Sequence, residues 1–146
     1  MNGQTLYFED VEEGQEIPGY SLLLDSLRMH LQSSGTQDFH RQHNDEQFAN
    51  KQGAAHMFVN TAFTQAAMSR LVTDWMGDDG WLQKFEMQMR KMNFPGDTMT
   101  MKGKAAKKYI HDRKGVIECE LWIENQREGV TTVGKATVIL PVRASS

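Results

Sequence analysis

VNTAFTQAAMSRLVTDW, residues 59–75, contains neither glycine nor proline, and an apolar side chain recurs at every fourth position: Val59, Phe63, Ala67, Leu71 and Trp75. That is the stripe of an amphipathic helix. Ala62 and Ala66 lie beside the stripe and would let such a helix sit close to a sheet. Asn60 or Thr61 suits the capping position at its start, and Gly77 stands where a helix C-terminus takes glycine.

Downstream the period changes from four to two. In FEMQM (85–89), Phe85, Met87 and Met89 point one way and Glu86 and Gln88 the other, the pattern of a half-buried strand. NFPGD (93–97) reads as a turn, and TMTMKGK after it puts Met99 and Met101 on one face. HDRKG (111–115) turns again. VIECELWIE then aligns Ile117, Cys119, Leu121 and Ile123, and NQREG (125–129) leads to a last strand from about Val130 to Leu140. Short strands joined by short turns predict an antiparallel meander. Upstream, IPGYSLLLDS (17–26) reads as a strand, and a short helix is expected from about Asp45 to Lys51, ending near Gly53. The expected order is strand, loop with a short helix, long helix, then four antiparallel strands. One long helix cannot cover both faces of a sheet. The expectation is therefore an α+β protein with an antiparallel sheet curled around one central helix, its outer face exposed or paired with a second copy.

Length and composition narrow the classes. The chain has 146 residues, which fits a single domain over 1–146. The formal net charge of −3 supplies no global basic field for nucleic acid or anionic lipid. A single cysteine, Cys119, excludes an intrachain disulfide. The N-terminus has neither the basic nor the apolar region of a signal peptide, and no apolar run reaches the roughly 18–20 residues a membrane span needs. The expectation is a cytoplasmic protein that binds neither membrane nor nucleic acid. Ten methionines are many, and read as filler for irregular gaps in the core.

Three local sequences carry a resemblance. FEDVEEGQEIP (8–18) is similar to the opening of MaoC-like acyl-CoA dehydratases, and FPGDTMTMKGK (94–104) to the family's Pro-Gly-Asp turn and following strand. DFHRQHNDEQFA (38–49) resembles the family's hydratase motif: Asp38, His43, Asp45, Phe48 and Ala49 fall on its Asp, its His five residues later, the following acid and the Phe-Ala pair. The resemblance spans essentially the whole chain and implies a hotdog fold. It also implies (R)-specific hydration of trans-2-enoyl-CoA thioesters without a cofactor, coenzyme A being part of the substrate. There are departures. His40 and Arg41 replace the usual Asn-Pro, and Val59-Asn60-Thr61 stands where the family's Ala-His-Gly opens the long helix. DFHRQHND, the FVN at 58–60 and VTDWMG (72–77) look most like a branch of steroid side-chain degradation, in which a catalytic hotdog subunit pairs with a different one.

Hydration of an enoyl thioester needs a base for water, a proton for the α-carbon and stabilisation of charge on the thioester oxygen. The resemblance implies that Asp38 and His43 hold one water, Asp38 as its base and His43 orienting it. An ordinary carboxylate near ~3.9 is a weak base, so a partly dry site is expected. The oxyanion donor would be a free N–H at the helix start, that of Thr61 or a neighbour, with Asn60 capping the helix or touching substrate. Arg41, Lys102 and Lys104 are candidates for the phosphates of coenzyme A.

Plainer readings stand beside these. An Asp before a helix is commonly a turn or capping residue, and Asp45 reads as the N-cap of the short helix. Arg41 reads equally as a solvated loop charge. KGKAAKK (102–108) reads as a lysine-rich edge strand that blocks unwanted pairing. His40, His43 and His56 come with neither an HExxH motif nor paired cysteines, so no metal is expected. A hotdog thioesterase would carry its carboxylate on the long helix, but residues 59–73 hold no acid and Asp74 lies at the far end. A non-catalytic subunit that walls a partner's site would have no need of both Asp38 and His43. At least a dimer is expected, homomeric or with a second hotdog subunit, because a lone hotdog leaves its groove open.

Overall fold

The computed structural model describes residues 5–143; residues 1–4, the start of the segment expected to lack signal-peptide character, and 144–146 lie outside the described residues. The fold is α+β. Strand β1 (Glu16–Leu23) is followed by helices α1 (Ser26–Thr36), α2 (Glu46–Lys51) and α3 (Thr61–Met76), and then by β2 (Trp81–Met89), β3 (Thr98–His111), β4 (Lys114–Asn125) and β5 (Gly129–Leu140). The five strands form one antiparallel sheet in the order β1-β3-β4-β5-β2. The sheet curves around α3, which packs against every strand.

The expected meander holds only for β3-β4-β5. β2 pairs with β5 at the far edge, and β1 takes the place beside β3. The 93–97 turn is therefore a crossing rather than a hairpin. Its backbone bonds to the end of β1: Leu24 N–H donates to Asp97 O and Gly96 N–H to Leu24 O, both at 2.8 Å. Only the second half of KGKAAKK lies at an edge: β3 has β1 on one side and β4 on the other as far as Lys104, and beyond it Lys107 and Lys108 pair with β4 alone. At the end of β1, residues 24–26 leave the strand, and Asp25 caps α1 through Arg28 N–H at 2.7 Å.

The core lies between α3 and the inner sheet face. Met68, Leu71 and Val72 of α3 meet Met99, Met101, Ile117, Ile123, Val138 and Leu140. The stripe read from the sequence is rotated. Phe63 and Trp75 are half-buried, whereas Thr64, Ala67, Met68, Leu71 and Val72 are buried. A four-residue repeat drifts by about 40° per step on a 3.6-residue helix, so its ends leave the buried face. Ala62 and Ala66 are exposed and do not bring the helix onto the sheet. Glycines on the strands do that. A Cβ at Gly134 would lie 2.6 Å from Met68 Sδ, and one at Gly103 would lie 2.8 Å from Leu121 Cδ2 and 3.3 Å from Leu71 Cδ2.

Helix α1 is the element the sequence reading missed. Its buried face is Met29, Gln32 and Ser33, while Leu27 and Leu31 are 65% and 58% exposed. Polar groups face inward and leucines outward, which erases the hydrophobic period that would have announced it.

Candidate functional site

Asp38 and His43 come together where α1 ends and α3 begins. α1 closes with Gln37 in the left-handed region at φ 54, a conformation that favours glycine. Gln37 N–H donates to Ser34 O at 3.3 Å and Asp38 N–H to Ser33 O at 3.1 Å, the paired bonds of a Schellman motif. The strained Gln37 thereby turns the chain so that Asp38 leaves the helix at a fixed angle. From α3, Asn60 reaches back. It accepts from Phe63 N–H at 2.8 Å through Oδ1, capping α3, and donates to Thr36 Oγ1 at 2.7 Å through Nδ2. Asn60 N–H donates to Gln32 Oε1 at 3.0 Å. This buried network of Gln32, Thr36 and Asn60 joins the two helix ends.

His43 is buried and Asp38 is not: their side chains are 7% and 39% exposed. His43 Nδ1 lies 2.8 Å from Phe58 O. A carbonyl only accepts, so Nδ1 carries a proton, and in the neutral ring Nε2 presents a lone pair. The Phe58 ring packs edge-on against the imidazole at 5.0 Å. Nε2 lies 3.5 Å from Asp38 Oδ2. Two acceptors at that separation make no direct bond in the neutral-ring state, but they can take the two protons of one water. Asp38 Oδ1 accepts from His40 N–H at 3.3 Å, leaving Oδ2 for that water.

At the start of α3, the cap satisfies Phe63 N–H and leaves the N–H groups of Thr61 and Ala62 without a partner among the described residues. Thr61 is exposed, so this helix terminus faces outward. The side chain of Asn60, 1% exposed, is fully engaged by the cap and by Thr36.

The remaining candidates are spread more widely. Asp45 caps α2 through Phe48 N–H at 3.0 Å, and Arg41 donates to its Oδ2 at 2.6 Å while lying 4.6 Å over the Phe48 ring. That N–H, and then the guanidinium, hold the Asp45 carboxyl below the usual range. Lys102 pairs with Glu124, and Lys104 with Glu120 at 2.9 Å, on the sheet face turned away from α3. Lys108 Nζ donates to the carbonyls of Phe8 and Val11 at 3.0 and 2.6 Å. His56 is bound to Glu46 at 2.6 Å, and Asp74 at the end of α3 to Arg70 at 3.1 Å.

Two features show their contacts only in the structure. Gln42 places its amide Nε2 3.4 Å from His43 Nε2. Asp97 of the Pro-Gly-Asp turn is a buried hub that accepts from Phe94 N–H at 2.8 Å, Arg127 Nη2 at 2.9 Å and Asn125 Nδ2 at 3.2 Å. Asn125 also donates to Asn93 Oδ1, and Asn93 O accepts Val59 N–H at 3.1 Å just before α3. The turn thus helps fix the start of the helix.

The architecture recurs among solved structures. The MaoC-like dehydratase of Rhodospirillum rubrum superposes with a TM-score of 0.81 at 18% identity, over 96% of this chain and 99% of its own. The chain has the hotdog fold. The unliganded (R)-hydratase PhaJ1 of Pseudomonas aeruginosa matches this hotdog with a TM-score of 0.81 at 15% identity, over 95% of this chain and 88% of its own. A chain of the ChsH1–ChsH2 complex of Mycobacterium tuberculosis matches with a TM-score of 0.80 at 23% identity, over 88% and 98%. No protein-family model matches the hotdog chain, and neither does any curated protein sequence. Among the described residues, no helix is long and apolar enough to cross a membrane.

Proposed function

We propose that this chain is an (R)-specific enoyl-CoA hydratase that adds water reversibly to a trans-2-enoyl-CoA thioester. The observation that carries the reading is the pair itself: His43 Nε2, held as an acceptor by the Phe58 carbonyl, faces Asp38 Oδ2 at 3.5 Å. A water between them gives one proton to each acceptor. Its oxygen forms a bond to the β-carbon as Asp38 takes one of those protons. The Asp38 carboxyl then returns that proton to the α-carbon, and the thioester carbonyl regains its double bond. Charge on the carbonyl oxygen in between calls for N–H donors, and the free groups of Thr61 and Ala62 are the candidates. The (R)-hydratase among the structural relatives supports the class and the stereochemistry. Arg41, Lys102 and Lys104 all have carboxylate partners here, and each would have to release its partner to hold a coenzyme A phosphate. We propose the cytoplasm as the default location, since a chain with the single cysteine Cys119 needs no oxidising compartment.

The openness of the site favours a second hotdog subunit, identical or different. Asp38 is 39% exposed, short of the dry setting its chemistry calls for, and the neighbouring Phe39 is 67% exposed. A partner covering Phe39 and the start of α3 would exclude water, and the ChsH1–ChsH2 relative is itself a complex of two subunits. The same openness keeps alive a reading in which this chain needs a different hotdog partner for activity. The test is loss of enoyl absorbance across trans-2-enoyl-CoA thioesters from short linear to sterol-derived, with Asp38→Asn and His43→Ala as controls. Hydration by the wild type and its loss in both variants supports the proposal. An inert wild type that stays inert with co-expressed hotdog partners refutes it.

A further inference from the structure

The peptide between Phe58 and Val59 is held at both ends. Its carbonyl oxygen accepts from His43 Nδ1 at 2.8 Å, and its N–H donates to Asn93 O at 3.1 Å. One amide plane therefore links the imidazole to the crossing between β2 and β3. His43, Val59 and Asn93 are all buried. Asn93 is fixed in turn by its own side chain. Asn125 Oδ1 accepts from Arg127 N–H at 3.0 Å and from Glu128 N–H at 2.7 Å, so Asn125 must point its Nδ2 at Asn93. Asn93 Oδ1 takes that bond at 2.8 Å, and Asn93 Nδ2 donates to Thr131 Oγ1 at 3.2 Å. Both ends of the Asn93 amide are thus engaged, one by the end of β4 and one by the start of β5.

We propose that Asn93 is a positioning residue of the hydration site and acts on His43 through the Phe58–Val59 peptide. An amide that donates through its N–H becomes a better acceptor at its carbonyl, because both bonds polarise the same group in the same sense. The Asn93 bond therefore strengthens the hold of Phe58 O on the Nδ1 proton. Two effects reach the ring. The proton stays on Nδ1, so Nε2 remains the acceptor that faces Asp38 Oδ2 at 3.5 Å. The carbonyl cannot swing, so the angle of the imidazole is set before substrate arrives, and the contribution falls on the chemical step and not on thioester affinity. Burial keeps solvent from competing for either bond. No proton moves along this chain of bonds, and Asn93 itself stays out of the reaction.

The kinetic arm of the test rests on the hydration reading; the spectroscopic arm does not. The first measurement is proton–nitrogen NMR of the His43 ring and the Val59 amide. The wild type should show the ring proton on Nδ1 and a protected Val59 amide. In Asn93→Ala, exchange of that amide should speed up about tenfold, and a population with the proton on Nε2 should appear. Thr131→Val removes one anchor of Asn93 and keeps the other, and should move both signals the same way by less. Ile117→Val, a core truncation at the opposite end of β4 from Asn125, controls for lost stability and should move neither. An unmoved ring signal in Asn93→Ala, or an equal change in Ile117→Val, overturns the proposal. If Asn93→Ala does not fold, Thr131→Val decides by the same signals. The second measurement is steady-state hydration. Asn93→Ala should lose about tenfold in kcat, with KM within about twofold, and a loss carried by KM counts against positioning. If the wild type hydrates no thioester, the functional reading fails separately, and the ring signal alone decides for or against Asn93.

Discussion

Replacing Asn60 by alanine tests how the site is assembled. The side chain makes two bonds, the cap to Phe63 N–H and the donation to Thr36 Oγ1. Loss of an N-cap costs about 1 kcal/mol, and loss of a buried neutral hydrogen bond costs about another 1 kcal/mol. The sum of about 2 kcal/mol lowers Tm by roughly 4–8 °C for a chain of this size. Asn60→Asp separates the two parts. Its carboxylate still caps Phe63 N–H and gains from the helix N-terminus by ~0.3–1 kcal/mol, but it cannot donate to Thr36, so it should fall less than half as far as alanine. Thr36→Val removes the other end of the second bond. Urea unfolding of the two single variants and the double variant gives the coupling, expected near 1 kcal/mol. A coupling below about 0.3 kcal/mol would show that the α1–α3 tie contributes nothing, and would refute the claim that Asn60 joins the two halves of the site.

Three further outcomes follow from the same geometry. Asp97→Ala, which strips a buried hub, should cost about 3–5 kcal/mol in urea unfolding; Arg127→Ala, whose side chain is 37% exposed against 5% for Asp97, should cost about 1.5–3 kcal/mol, and equal losses would contradict the hub. Glu46 has its carboxyl lowered by Met57 N–H and then by His56. A lowered carboxyl stabilises the fold above its ordinary value near ~4.3 and loses that contribution as pH falls through the lower folded value. Exchange protection of the Met57 amide should therefore hold near neutral pH and fall once the pH is taken below the ordinary carboxylate range, and unchanged protection would count against the clamp. Burial pushes the Cys119 thiol up to about 12, so iodoacetamide at neutral pH should label it only as fast as the protein unfolds; fast labelling with intact circular dichroism would show the inner sheet face to be open.

Much of the fold was legible because its periods are local. The alternation of β4, Ile117 to Ile123, and the cap pair Asn60 and Gly77 around α3 are properties of neighbouring residues, so the chain displays them before it folds. Helix α1 was not legible because its leucines face out, and the placement of β1 beside β3 and of β2 beside β5 was not because strand pairing is set by contacts between residues distant in the chain. At the site, the Asp38–His43 spacing drew attention and Asp97 was legible as part of the Pro-Gly-Asp turn, whereas Gln42 gave no signal of its own and the hub role of Asp97 appeared only in three dimensions.

The sequence by itself determined the helix-and-strand inventory downstream of Val59, since hydrophobic period and turn residues act over a few positions. Tertiary structure alone decided which strand stands beside which and that glycines on the sheet, not alanines on the helix, admit α3. It also decided that a carbonyl from the segment before α3 fixes the tautomer of His43. Those are contacts between residues far apart in the chain, and their energies exist only once the chain has closed on itself.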